Sequence, residues 1–166
     1  MQACFVGHRT IQQSEELISL LKETVVALIN QGVTTFLFGS RSEFDSLSWK
    51  IVTELKETYP FIKRVYVRSA YQYVDKSYEE HLLKSYEETY FPPRLENAGK
   101  YSYVERNCEM IENSTYCVFY YNEKYVPEEG HQPQRAVPLA QRRRSGTKIA
   151  YQYAVRKKKK IINLYK

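Results

Sequence analysis

The chain has 166 residues, which suits a single domain over 1–166, and 43% hydrophobic residues are enough for a real core. A formal charge of +6 and a pI of about 9.1 favour anionic partners, with nucleotides, nucleic acid and anionic membranes all compatible. Three cysteines in apolar patterns point to buried free thiols in a reducing compartment; no His/Cys spacing suits a metal, and no apolar run approaches the ~20 residues of a membrane span. The start of the chain lacks a signal peptide's apolar core, so the expectation is a cytoplasmic protein with no membrane partner and no identified cofactor.

In chain order, residues 3–6 are short, apolar and followed by Gly7, as expected of a buried strand ending in a tight turn. Ser14 predicts an N-cap, with Glu15 and Glu16 in the first helical turn and Leu17, Leu21, Val25 and Leu28 at helical spacing. Residues 34–38 are β-branched and aromatic and predict a second strand. Asp45 can cap a second helix carrying Leu47, Ile51 and Leu55 on one face, and Tyr59-Pro60 ends it. A third strand follows at 64–67.

Residues 68–100 break this β-α-β-α-β rhythm. They hold a short helix around 78–86 and then a Pro-Pro pair, and they read as a semi-irregular excursion. Nine of the sixteen tyrosines fall between Tyr59 and Tyr103. That enrichment fits a stacking surface for bases, an oligomer interface, or simply semi-exposed tyrosines. The rhythm resumes with a helix at 103–113 bearing Val104, Cys108 and Ile111, and a strand at 116–121. A mobile loop at 122–144, a helix at 147–156 with Ile149, Ala150, Tyr153 and Ala154 inward, and a strand at 161–164 complete the chain. The fold class expected is α/β, a Rossmann-like doubly wound sheet of about five mostly parallel strands with flanking helices. Such sheets bind ligands beyond the carboxyl ends of the strands, where the strand order reverses.

Three small-residue, basic turns lie between an apolar strand and a helix. Gly7-His8-Arg9 leaves the first strand, where glycine permits close approach and His8 and Arg9 can face a phosphate or ribose. Gly39-Ser40-Arg41-Ser42 leaves the second and can form an anion-binding nest; alternatively Asp45 is only a cap and Phe44 a staple. Ser145-Gly146-Thr147 opens the last helix, whose free N–H groups and positive dipole end suit an anion. Arg142–Arg144 beside it oppose that dipole unless an anion intervenes, although a solvated loop fits as well, whereas the run Arg156–Lys160 suits a helix C-terminus structurally. No Gly-Lys-Ser/Thr closes any of these runs, which speaks against a P-loop. On the helix before the fourth strand, Arg106 and Met110 share a face. A buried guanidinium there needs a carboxylate or phosphate; a surface pair with Glu105 or Glu109 is the alternative.

Together, Cys4-Phe5-Val6-Gly7-His8-Arg9, Phe38-Gly39-Ser40-Arg41-Ser42-Glu43-Phe44-Asp45, Glu105-Arg106-Asn107 with Met110-Ile111, and Ser145-Gly146-Thr147 with Ala150-Tyr151 and Ile161-Ile162-Asn163-Leu164 resemble the SLOG superfamily, nearest its YpsA-related small bacterial and phage proteins. The resemblance implies a Rossmann-like fold that binds nucleotides or nucleotide-derived signals, often as a homodimer or higher homo-oligomer. A related LOG-type branch, the cytokinin-activating phosphoribohydrolases, cleaves the N-glycosidic bond of nucleoside monophosphates. Arg106 matches that branch's arginine and Gly146-Thr147 its Gly-Thr pair. Its glutamate is missing, because Lys148-Ile149-Ala150 follows instead. Glycosidic cleavage needs a carboxylate, so chemistry would require Glu43 or Glu105 to substitute. The leading expectation is therefore a nucleotide-binding sensor using Gly7, His8, Arg9, Gly39, Ser40, Arg41, Ser42, Asp45, Arg106, Ser145, Gly146 and Thr147. A phosphoribohydrolase-like enzyme with Arg106, Glu105 and Glu43 as catalytic candidates comes second. A nucleic-acid-binding module comes last, since no recognition motif accompanies the charge.

Overall fold

The computed structural model describes residues 1–39, 42–125 and 145–166. The elements are β1 (Gln2–Gly7), α1 (Glu15–Asn30), β2 (Thr35–Phe38), α2 (Glu43–Leu55), β3 (Lys63–Val67), α3 (Lys76–Leu83), β4 (Glu88–Tyr90), α4 (Ser102–Asn113), β5 (Tyr116–Tyr120), α5 (Gly146–Arg156) and β6 (Lys160–Asn163), with two single 3-10 turns before α4. The strands form one parallel sheet in the order β4-β3-β2-β1-β5-β6. The fold is thus α/β and Rossmann-like.

There are six strands among the described residues rather than five. The added one, Glu88-Thr89-Tyr90, lies inside the excursion at 68–100 and pairs with β3 at Val65, Tyr66 and Val67. Three half-polar residues carry no alternation, so this strand owes its conformation to its partner and not to its own pattern. The loop expected at 122–144 falls mostly outside the described residues.

Burial explains the layers. In β1, residues Ala3 to Gly7 are all buried, as expected of a central parallel strand covered on both faces. Phe5, Phe36 and Phe38 pack with α1 and α2 on one face, whereas Cys4, Val6, Leu37, Val65, Cys117 and Phe119 pack with Met110, Ile111, Ala150 and Ala154 of α4 and α5 on the other. The apolar stripe expected in α1 is the buried one. Ser14 caps that helix, its Oγ accepting the Leu17 N–H at 3.2 Å. In α5, Thr147, Ala150 and Ala154 are buried; Tyr151 replaces Ile149 as the large inward contact, its ring 5.1 Å from Phe119. The three cysteines are free and buried.

One cap was misassigned by sequence reasoning. Ser42, not Asp45, caps α2, and its Oγ accepts the Asp45 N–H at 3.1 Å. Asp45 occupies the first turn instead, where its Oδ1 accepts the Gly39 N–H at 3.4 Å. Both residue types suit a cap, and spacing alone does not decide between them.

The chain runs outward from β1 through β2 and β3 to β4, then returns to place β5 on the other side of β1. The order therefore reverses between β1 and β5, whose carboxyl ends meet at the Gly7–Tyr120 pair.

Candidate functional site

The carboxyl edge of the sheet gathers the turns after β1, β2, β3 and β5. Gly7 is the last residue of β1, and a Cβ there would lie 2.4–2.5 Å from Cδ1, Cβ and Cγ of Phe44. Packing of α2 against β1 therefore already requires this glycine. Arg9 is exposed, and its carbonyl accepts the Glu43 N–H at 2.8 Å.

His8 is 1% exposed. Its Nε2 accepts the Asn122 N–H at 2.8 Å, which leaves the neutral ring's proton on Nδ1. Tyr125 stacks on the imidazole with centroids 3.8 Å apart, and Tyr121 lies 5.9 Å away. Burial holds the imidazole's pKa down at about 4, so the ring is neutral at pH 7. Nδ1 is buried and has no hydrogen-bond partner among the described residues. A buried donor without an acceptor costs about 1–3 kcal/mol, so it marks a place where an acceptor belongs.

After β2, the Gly39 carbonyl accepts from Nη1 of Arg106, which α4 delivers from the other side of the sheet. A Cβ at Gly39 would fall 2.7 Å from Cδ and 2.9 Å from Nε of Arg106. Of the two readings of Arg106, the buried one is observed. The residue is 3% exposed, and its other acceptors are Ser69 Oγ at 3.3 Å and Asn107 Oδ1 at 3.1 and 3.3 Å. Burial disfavours its charge, while Asp45 favours it. Glu105 instead pairs with Arg94 at 2.8 Å. Ser42 and Asp45 are buried in the α2 turn, and Ser40 and Arg41 lie outside the described residues.

Ser145 caps α5, its Oγ accepting the Lys148 N–H at 3.1 Å. Ser145→Ala is expected to lower stability by about 1 kcal/mol in urea unfolding. Gly146 is exposed, a Cβ there would meet nothing within 4 Å, and Thr147 is buried. One helical turn further on, Tyr151 stacks on Tyr121 at 4.5 Å, which ties the start of α5 to the end of β5 and hence to the His8 neighbourhood. Asn163 completes this corner, its Oδ1 accepting the Tyr121 N–H and its Nδ2 donating to the Tyr121 carbonyl, both at 3.0 Å.

Sequence reasoning missed Arg68, Ser69 and Tyr71, which follow β3. With Gly39, Tyr103 and Arg106 they line a small cavity of about 30 Å³ between the ends of β2 and β3. A larger hollow of about 540 Å³ lies over Leu37 and Val65, towards the amino ends of β2–β4. None of the three unpartnered buried polar atoms among the described residues belongs to its lining; those of His8 and Arg68 lie at the carboxyl edge, and Ser114 Oγ lies just before β5. Among the described residues no three His, Cys, Asp or Glu side chains gather as a metal site, and no helix is long and apolar enough to cross a membrane.

A parallel, doubly wound sheet with basic and glycine-bearing turns at its switch point defines a Rossmann-like protein. More narrowly, the chain belongs to the YspA SLOG family, whose model matches residues 8–153. No curated protein matches it.

Proposed function

We propose that this protein binds a nucleotide or nucleotide-derived small molecule at the carboxyl edge of its sheet, as a sensor or regulator. The observation that carries the reading is the buried Nδ1 of His8 at the β1/β5 switch point, which has no partner among the described residues. The amino end of α5, with its positive dipole end, is tied to the same corner through Tyr151 and Tyr121. Family membership supports the nucleotide class.

The carboxylates considered for glycosidic chemistry are both engaged. Glu43 Oε2 accepts the Ile11 N–H at 2.9 Å, and Glu105 holds Arg94. That favours binding over hydrolysis.

Isothermal titration with a panel of nucleotides and nucleotide sugars tests the reading, with Gly146→Asp as the variant. The new side chain has open space, and a carboxylate in the first turn favours the helix, so the variant folds. Its charge opposes a bound phosphate, and affinity is expected to fall at least about tenfold, which is 1.4 kcal/mol. No binding by the wild type, or equal binding by Gly146→Asp, overturns the reading.

A further inference from the structure

Tyr71 adopts a left-handed backbone conformation, with φ at +61°. Aromatic residues rarely occupy this region, and when they do the surroundings hold them there. Here packing does not, because the side chain is 70% exposed and only meets Tyr78 edge-on at 6.3 Å. What the conformation does achieve is to point the Tyr71 carbonyl at Arg68, whose Nη1 donates to it at 3.0 Å.

Arg68 is the second anomaly. Among the described residues its buried Nε has no hydrogen-bond partner and no ion pair includes it. It lines the same 30 Å³ cavity as Arg106, whose hydrogen-bond acceptors among the described residues are neutral and whose charge one carboxylate, Asp45, favours. One carboxylate leaves two guanidiniums facing one small cavity with a net positive charge that an anion between them would balance, and planar guanidinium forks match phosphoryl oxygens. The cavity admits only a few atoms. Anything attached to the anion must therefore lie at its mouth, where Tyr71 and Tyr103 expose their rings, the latter 5.5 Å from the Arg106 guanidinium.

We propose that the ends of β2 and β3 form a second subsite, in which Arg68 and Arg106 take an anionic group and Tyr71 with Tyr103 flank a flat ring attached to it. The ligand class is a phosphorylated aromatic heterocycle. The inference deepens the nucleotide reading and rests on it. Parallel strands lie about 4.8 Å apart, so this subsite sits roughly 10 Å from the β1/β5 corner, within reach of one ligand bearing two anionic groups.

The experiment titrates nucleoside 5′-monophosphates, the matching nucleosides, adenosine 3′,5′-bisphosphate, inorganic phosphate and a single-stranded oligonucleotide. The proteins are the wild type, Arg68→Gln, Tyr71→Gly, Tyr71→Phe and Gly146→Asp. Nucleotides are expected to bind more tightly than nucleosides or phosphate, and Arg68→Gln to weaken them at least tenfold. Tyr71→Gly is expected to weaken them while its melting temperature stays level or rises, since glycine relieves the left-handed strain; Tyr71→Phe keeps the affinity. Gly146→Asp separates the two readings. If it weakens binding while Arg68→Gln and Tyr71→Gly do not, the second subsite is overturned and the β1/β5 reading stands. If no nucleotide binds the wild type, both fall. Tight oligonucleotide binding without mononucleotide binding, or phosphate binding as well as nucleotides, also overturns the proposal.

Discussion

Gly7→Ala is expected to destabilise the protein by about 3 kcal/mol, at the upper end of what overpacking costs. The added methyl would sit 2.4–2.5 Å from three atoms of Phe44, including its Cβ, so rotating the ring cannot relieve the clash. Phe44 is fully buried against Phe5 at 6.4 Å and Tyr120 at 5.8 Å, so the start of α2 must move as a whole. That movement strains the Ser42 cap, the Glu43–Ile11 and Glu43–Arg9 hydrogen bonds and the Asp45–Gly39 contact together. At about 2–4 °C per kcal/mol for a chain of this size, the melting temperature should drop by roughly 6–12 °C. Gly146→Ala serves as the control and should be neutral or better, because nothing lies within 4 Å of its Cβ position. Adding Phe44→Ala, which removes two of the three clashing atoms, to Gly7→Ala should recover part of the loss, and a double-mutant cycle from urea unfolding measures that coupling. A loss below about 1 kcal/mol for Gly7→Ala, or strict additivity with Phe44→Ala, would show that the contact is not tight.

That glycine illustrates how far the sequence could be read. Its place at the end of a buried strand followed from four apolar residues and a turn. The reason for it did not, because Phe44 lies 37 positions away, and only the packing of α2 against β1 brings it to Gly7. The same division holds for Arg106. Its shared face with Met110 suggested burial, but its acceptor is the main-chain carbonyl of Gly39, which no side-chain pattern announces. The helices α1, α2 and α4 were legible because long amphipathic periods repeat the same message several times. By contrast β4 is three residues long, and Arg68 and Tyr71 lie in a stretch without periodicity, where a left-handed tyrosine leaves no mark on composition. That the Gly7 and Gly39 turns lie at the carboxyl ends of strands was thus readable from the β-α alternation, whereas the β2/β3 cavity emerged only from the folded contacts.

The pH dependence of stability should report on His8. Its pKa in the folded protein is about 4, against 6.5 for a free imidazole, with burial as the cause. Between these values the unfolded chain holds the extra proton and the folded one does not, so stability rises with pH across that window. The contribution is complete above about pH 6.5 and is lost as pH falls towards 4, a total on the order of 3 kcal/mol. Geometry agrees with this sign: the Asn122 amide occupies Nε2, so a second ring proton must displace it, and the Tyr121 and Tyr125 rings close around the imidazole. Glu87, bonded by Arg64 strongly enough to overcome its own desolvation and sit at about 2, loses its contribution mainly below pH 4.5, so the two effects separate along the pH axis. Urea unfolding of the wild type and His8→Gln between pH 7.5 and 4 is the measurement. The wild type should lose stability between pH 6.5 and 4.5 more steeply than the variant, and equal slopes would contradict the buried neutral imidazole. An anion that accepts the Nδ1–H hydrogen bond would raise the pKa of His8, because a charged ring holds it more strongly than a neutral one. Nucleotide affinity should then increase as pH falls from 7.5 to 6, and that increase should vanish in His8→Gln.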